Sequence, residues 1–332
     1  MDTVSRLIRL ARLRGGIDVR CLLAGQFALD NPARGVGEAP FHLLLEGSCV
    51  IESGKRRISL EPGDVVLFPR GDAHRVVADR ASTAMGTVEV AGVSFPTLRT
   101  GAAGTLGTGA AGTLGTEAAG ADAPEPGVDL FCGHYGFAAG AGELLFGSLP
   151  DPLHVSFGAD PSEPVRVLSA LMRDEAQLDG LGTAAIVSSL CDALLAMVLR
   201  SGPGQRLSSG PLWTAVNDQN MVNVIDMVLT DPARNWTIAD FAGLASMSRA
   251  TFVRHFDKAT GMAVGEFLTR IRMMLAAEML TDSDRPVSAV AAAVGYRSES
   301  AFGRAFRMAT ATTPARFRRH ARARDGEGAD QG

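Results

Sequence analysis

Cysteine is scarce in this chain. Four stand in 332 residues, at Cys21, Cys49, Cys132 and Cys191, far apart and without zinc-finger spacing. In a cytosolic protein such thiols rest reduced. Long apolar runs are missing too. None approaches the roughly 20 residues of a membrane span, so no membrane partner is expected. The N-terminal Val4-Ser-Arg-Leu-Ile-Arg-Leu-Ala-Arg-Leu13 reads as a short helix studded with Arg6, Arg9 and Arg12. It has neither a clean apolar core nor a cleavage site, so it does not read as a signal peptide, and a cytoplasmic location is expected. Strong net charge is lacking as well, at −4 overall. The charge is uneven: from Pro211 onward about 15 Lys/Arg face about 13 Asp/Glu, leaving the N-terminal part acidic. That asymmetry suits a nucleic-acid-binding half attached to a non-binding half. The length is enough for two domains.

What is present is a duplication between Trp236 and Arg319. Thr237 can cap a helix whose inner face is Ile238, Phe241, Ala242 and Leu244. Ser246 or Ser248 can cap the next helix, because a hydroxyl accepts from an amide two or three residues on. That helix turns Phe252 and Phe256 to one side and Arg249, Val253, Arg254 and Lys258 to the other, with Gly261 as a stop. The second copy has Val287, Val290, Ala291 and Val294 inside, Gly295 at the turn and Ser298 as cap. Phe302 and Phe306 are then buried, while Glu299, Ser300, Arg304 and Arg307 point away. Ser248 and Ser298 stand fifty positions apart, each followed by phenylalanines at the fourth and eighth residues and by an Arg at the sixth. Single amphipathic helices would fit any all-α domain; the repeat favours two helix–turn–helix units. Between them Val264 to Leu280 reads as one helix with Leu268, Ile271, Leu275 and Met279 on a stripe. About seventeen residues span roughly 25 Å, a spacer able to hold two recognition helices about one DNA turn, roughly 34 Å, apart.

These residues resemble the DNA-binding domain of AraC/XylS-type transcriptional regulators. The matching motifs are Ala245-Ser-Met-Ser-Arg-Ala-Thr-Phe252, Phe256-Asp-Lys-Ala-Thr-Gly261, Arg270-Ile-Arg-Met-Met-Leu-Ala-Ala277 and Val294-Gly-Tyr-Arg-Ser-Glu-Ser-Ala-Phe-Gly-Arg-Ala-Phe306, with Thr313-Pro314 and Phe317-Arg318. Departures stand at Ala311, where the family has Gly, and at Val264, where Pro is frequent. The resemblance implies base-facing positions at Ala250, Val253 and Arg254, then at Glu299, Ser300, Gly303 and Arg304. Arg254 and Arg304 suit guanine, whose edge offers two acceptors, and Glu299 suits cytosine. Arg249, Lys258, Arg297, Arg307 and the run Arg316, Arg318, Arg319, Arg322 and Arg324 suit phosphates, which position without specifying; the run could also be a solvated tail. The implied partners are double-stranded promoter DNA, RNA polymerase and a second copy of the chain.

The N-terminal part reads as short strands with Gly/Pro turns, a pattern of β-barrels or jelly rolls. Ile17 to Leu23, Phe41 to Ile51, a partner through Ile58 and Leu60, and Val128 to Phe137 are the candidates. The spacing Gly63-x5-Pro69-x-Gly71-x2-His74, after Phe41-His-Leu-Leu-Leu-Glu-Gly47, resembles a cupin motif. The implied organisation is α+β: a cupin-like sensor and dimerisation domain over 1–200, a linker over 201–212, a DNA-binding domain over 213–322 and a disordered tail over 323–332. Residues 79–127, with Ala-Ala-Gly-Thr-Leu-Gly-Thr at Ala102 and again at Ala110, are too poor in large apolar residues for a core and are expected to be a disordered insertion. Glu163 to Leu178 and Thr183 to Leu199 read as amphipathic helices. In the family such helices meet across a dimer; the alternative is packing on the barrel.

Three signals remain open for the barrel. The N-terminus, Cys21 and the Cys132-Gly133 pair resemble the reactive-chlorine-responsive AraC-type regulators, which implies redox-active Cys21 and Cys132 and an activator. A thiolate is the reactive form, and Arg20 and His134 are neighbours in sequence that could favour it. Alternatively His42, His74, Cys132 and His134 could hold a metal such as zinc, although Leu44 stands where the cupin motif has a second histidine. An organic effector could also fill the barrel. A cupin metalloenzyme would need a facial ligand set, which the sequence does not offer beyond His42, His74 and Glu46. No catalytic residue is expected.

Overall fold

The computed structural model describes residues 3–35, 37–78, 86–101, 127–137, 141–147, 149–158, 160, 163–200, 219–260 and 262–329. Both insertion repeats, at Ala102 and at Ala110, the 201–212 linker and the Gly261 stop lie outside them.

A first helix, α1 (Thr3–Ala11), leads into β1 (Arg14–Leu23). Then follow β2 (Ala28–Asn31), β3 (Glu38–Glu46), β4 (Cys49–Ser53), β5 (Arg56–Leu60), β6 (Asp64–Leu67), β7 (His74–Ala78), β8 (Gly86–Val90), β9 (Thr97–Gly101), β10 (Val128–Gly136), α2 (Ala141–Phe146) and β11 (Leu153–Ser156). They form a seven-stranded sheet, β11-β6-β3-β10-β1-β9-β8, and a four-stranded sheet, β2-β7-β4-β5. Between the sheets lies one core, with Leu23, Phe27, Leu44, Ile51, Leu60, Val66 and Phe68 in contact with Cys21, Cys49 and Cys132. The outer face of the larger sheet carries a second core, in which Phe41, Leu43 and Leu45 meet α1, α2, α3 (Pro164–Leu178) and α4 (Thr183–Arg200). Because β3 is covered on both faces, it is buried without alternation from Ala39 to Leu45, with His42 the one polar side chain in that run.

Three expectations are corrected here. Within 79–127, β8 and β9 are strands, and β9 lies parallel to β1 through Arg20↔Thr97 and Cys21↔Leu98. The open edge of β1 supplies hydrogen-bond partners that a low-hydrophobicity segment lacks alone. The 18-residue α4, with hydropathy 1.6, does reach the length and apolarity of a membrane-crossing helix. Here Val187, Cys191, Leu194, Leu195 and Val198 are buried in the core it shares with the sheet. Finally, the helix Pro314–Ala329 runs through most of the expected tail; the good helix formers of Ala321-Arg-Ala-Arg324 lead into it, and it continues past Gly326 and Gly328.

The C-terminal half is helical: α5 (Gln219–Thr230), α6 (Ile238–Leu244), α7 (Arg249–Thr260), α8 (Val264–Asp282), α9 (Val287–Ala293), α10 (Glu299–Thr310) and α11 (Pro314–Ala329). α5, α7, α9, α10 and α11 pack on α8, while α6 rests on α5 and α7; α8 buries Phe267, Ile271, Met273, Met274, Leu275, Ala276, Ala277 and Leu280. That is wider than a stripe, as befits a helix enclosed on most sides. Leu268 and Met279 are only half-buried. The two halves touch: α1 and α2 rest on α8, Arg6 reaches Asp226 at 3.7 Å and Thr230 at 3.1 Å, and Arg12 pairs with Asp282.

Candidate nucleic-acid interface and buried thiol site

Each helix–turn–helix unit is fixed by its own short-range chemistry. Thr237 and Asp240 form a reciprocal capping box at the start of α6. At the end of α6, Ser246 adopts a left-handed φ of 54°. Ser248, not Ser246, caps α7, accepting from the Thr251 amide at 3.2 Å. In the second unit Gly295 takes the left-handed position with φ 84°, and Ser298 accepts from the Ala301 amide at 3.4 Å. A Cβ at Gly295 would stand 2.7 Å from the Arg272 guanidinium and 3.0 Å from the Ala233 carbonyl, so this turn takes no side chain. The starts of α6 and α9 are 49 residues apart and those of α7 and α10 are 50; the second turn holds one extra residue.

Buried aromatics orient the recognition helices. Phe252 and Phe256 of α7, and Phe302 and Phe306 of α10, are 0–1% exposed. They continue into contacts with Phe241 and Phe267, and with Tyr296 and Phe317. With those sides buried, Arg249, Ala250, Val253, Arg254 and Lys258 are exposed on the opposite face. So are Arg297, Glu299, Ser300, Arg304 and Arg307, while Gly303 is half-buried. A groove of about 1100 Å³ runs beside α7, lined by Ile238, Ala250, Val253, Arg254 and Met262 among others. Ile238, expected inside, is 45% exposed in this groove, because the first residue of a helix this short lies at the edge of its buried face.

Two arginines do structural work that the sequence reading missed. Arg272 donates to the Pro232 and Arg234 carbonyls, each at 2.9 Å, tying α8 to the loop before α6. Arg318, expected on phosphate, donates to the Leu280 carbonyl at 3.2 Å and to that of Arg285. An arginine inside an apolar helical run has to find acceptors; that is the signal that marks Arg272. Arg316 and Arg319 are exposed, and the side chains of Arg322 and Arg324 lie outside the described residues.

The second site is between the sheets. Cys21 on β1 and Cys132 on β10 are diagonal neighbours, with Val19↔Cys132 and Cys21↔Leu130 in register, and their Sγ atoms are 3.7 Å apart. Gly133 permits this spacing of strands: a Cβ there would meet the Gly16 carbonyl at 2.2 Å and the Phe41 ring at 2.9 Å. On β3, opposite Cys132 in the register, stands His42, whose Nδ1 is 3.1 Å from Cys132 Sγ. Its Nε2 is 2.6 Å from His74 Nε2, and His74 Nδ1 is 2.8 Å from the Asp72 carbonyl. Phe68 stacks on the His74 ring at 3.7 Å. The contacts run in series, and among the described residues no three His, Cys, Asp or Glu side chains converge as a metal cage.

Two neighbours expected near the thiols point elsewhere. Arg20 faces away from Cys21, as alternate strand residues must, and forms a bidentate pair with Asp129 at 3.0 and 2.7 Å. His134 binds Asp18 at 2.7 Å, which raises its pKa, and is not part of the His42–His74–Cys132 series. The neighbouring Cys21 thiol, then burial, pushes the Cys132 thiol well up, so it rests protonated. Burial holds both His42 and His74 below the ordinary imidazole value. Cys191, on α4, is pushed up to about 12 by burial and behaves as a small core residue.

Tandem helix–turn–helix units with exposed basic faces, attached to a two-sheet barrel, define a DNA-binding transcriptional regulator. Residues 2–202 match the Cupin family model and residues 241–320 the helix-turn-helix domain model. An HTH-type transcriptional regulator of Haemophilus influenzae is 30% identical over 319 residues, 96% of this chain and 99% of that one. The RCS-specific HTH-type transcriptional activator RclR of Escherichia coli K12 is 26% identical, over 97% of this chain and 99% of that one. The solved DNA-binding domain of AdpA, in complex with a target DNA, is 35% identical, with a TM-score of 0.29, over 30% of this chain and 91% of that one. The chain belongs to the AraC-type transcriptional regulators with an N-terminal cupin domain, and these are regulators, not enzymes.

Proposed function

We propose that this regulator is a cytoplasmic, homodimeric activator that senses chlorinating oxidants through Cys21 and Cys132. The observation that carries this reading is the buried 3.7 Å approach of the two sulfurs. A disulfide needs about 2.05 Å between sulfurs, so a small shift of β1 against β10 closes the bond. With hypochlorous acid the balance is two thiols plus HOCl giving a disulfide, water, a proton and chloride. The movement has a route outward: β1 follows α1 through a short turn, α1 contacts α8, and Arg12 in that turn pairs with Asp282 of α8. The similarity to an RCS-specific activator supports the same signal.

Bound to promoter DNA, α7 and α10 read bases, with Arg254 and Arg304 on guanine, Glu299 on cytosine, and Ala250, Val253, Ser300 and Gly303 in close approach. Arg249, Lys258, Arg297 and Arg307 hold phosphates. RNA polymerase is the partner through which activation acts. A second chain covers the exposed apolar residues of α3 and α4.

The test is promoter output after hypochlorous acid in wild type, Cys21→Ser and Cys132→Ser. Induction should be lost in both variants while reduced-state DNA binding persists. Undiminished induction in both ends the thiol reading.

A further inference from the structure

We propose that His42 and His74 form a proton relay that carries the Cys132 thiol proton toward the exposed loop at Asp72 as the sulfur is oxidised. This rests on the reading of Cys132 as an oxidised thiol.

The polarity of the chain follows from one end. The Asp72 carbonyl only accepts, so His74 Nδ1, 2.8 Å away, carries its hydrogen. A neutral imidazole has one N–H, so His74 Nε2 is a bare acceptor. His42 Nε2, 2.6 Å from it, therefore donates. That leaves His42 Nδ1 bare, 3.1 Å from Cys132 Sγ, and the thiol donates to it. All three hydrogen bonds point the same way, from sulfur to the loop at Asp72. Cys21, 3.7 Å from Cys132 on the side away from the histidines in this series, is placed to resolve the product.

The relay answers a specific difficulty. The reactive form is the thiolate, yet Cys132 is buried beside a second thiol, with Arg20 committed to Asp129 and His134 to Asp18. A single base at His42 would have to hold a buried positive charge. Two imidazoles in series move that charge outward: as Nδ1 of His42 gains a proton, its Nε2 proton passes to His74, whose Nδ1–H is held by the Asp72 carbonyl. His42 stays neutral, and the charge appears on His74, the more exposed of the two at 5% against 1%.

The chemistry balances with hypochlorous acid as the oxidant. The Cys132 sulfur attacks chlorine, the O–Cl bond breaks with its pair on hydroxide, and the thiol proton leaves through His42. Hydroxide and the relayed proton make water, and Cys132 is left as a sulfenyl chloride. Cys21 sulfur then attacks Cys132, chloride leaves, and the Cys21 proton is released with it.

Two measurements on the full chain test this. In reduced wild-type protein labelled with ¹⁵N-histidine, His42 should be the Nε2–H tautomer and His74 the Nδ1–H tautomer. Either ring in the opposite tautomer overturns the relay, whatever the variants do. Disulfide formation should also be timed by mass spectrometry after hypochlorous acid, with free methionine as competitor. His42→Asn keeps an acceptor near the thiol but cannot pass a proton on, and His74→Gln breaks only the outer link. Each should slow the reaction on the order of a hundredfold, the scale of general base catalysis. A wild-type rate in either variant overturns the relay and leaves the thiol switch standing. A wild type that forms no Cys21–Cys132 bond ends both.

Discussion

Ala311 ends α10 in the left-handed region, with φ 55° and ψ 7°. The sequence marked this position, since the family has Gly there, and the backbone follows the family although the residue does not. A side chain at positive φ costs roughly 1 kcal/mol relative to Gly. Ala311→Gly is therefore expected to stabilise the C-terminal half by about that amount and to raise its melting midpoint by a few degrees. An unchanged or lower midpoint in calorimetry would show that the strain is relieved elsewhere. His42 and His74 make a second residue-level case. Folded, both lie below the ordinary 6.5 because burial disfavours the imidazolium. Unfolded, they return to it, so the unfolded chain binds more protons and stability is lost as pH falls through 6.5. His134 works the other way, since Asp18 raises its pKa. The urea midpoint should drop between roughly pH 7.5 and roughly pH 5.5, and drop less in His42→Asn; equal drops would remove the pair from the acid limb.

At the scale of elements, helix ends and periodicity were readable and side-chain destinations were not. Thr237, Ser248 and Ser298 cap as expected, because a cap is a contact over three residues of chain. Phe252, Phe256, Phe302 and Phe306 are buried as expected, because i, i+4 spacing fixes a face. Arg318 went astray because its acceptors, Leu280 and Arg285, come from 38 and 33 residues away. The two remaining classes of arginine should separate in binding. Arg304→Ala should cost roughly 1–3 kcal/mol and relax preference at one base pair. Arg319→Ala should weaken every sequence alike and flatten the salt slope by about one. Identical behaviour of the two on random DNA would show that Arg304 reads no base.

On the scale of the whole molecule, the notable surface is the outer side of α3 and the start of α4. Val167, Leu171 and Leu178 are 58%, 51% and 75% exposed, and Ile186 is 44% exposed. Residues 167, 171 and 178 recur at helical spacing, while the other side of α3 buries Val165, Leu168 and Met172. A helix with apolar residues on both sides has a second surface to cover, which is the basis for placing the dimer contact here. Leu171→Glu should shift the protein to monomer in sedimentation while leaving its helix content intact; an unaltered sedimentation coefficient in a dimeric wild type would move the contact elsewhere.

By itself the sequence determined what depends on neighbours along the chain: two capped helix–turn–helix units, a Gly/Pro-punctuated set of strands and the faces of the recognition helices. It also singled out Cys21 and Cys132, but only through resemblance, because 111 residues separate them. Tertiary structure alone decided that β1 and β10 lie side by side, that His42 rather than His134 meets Cys132, and that Arg20 turns to Asp129. The physical reason is register. A shift of one residue in any of these strands would send every one of those side chains to the opposite face, and register is set by packing between strands distant in sequence.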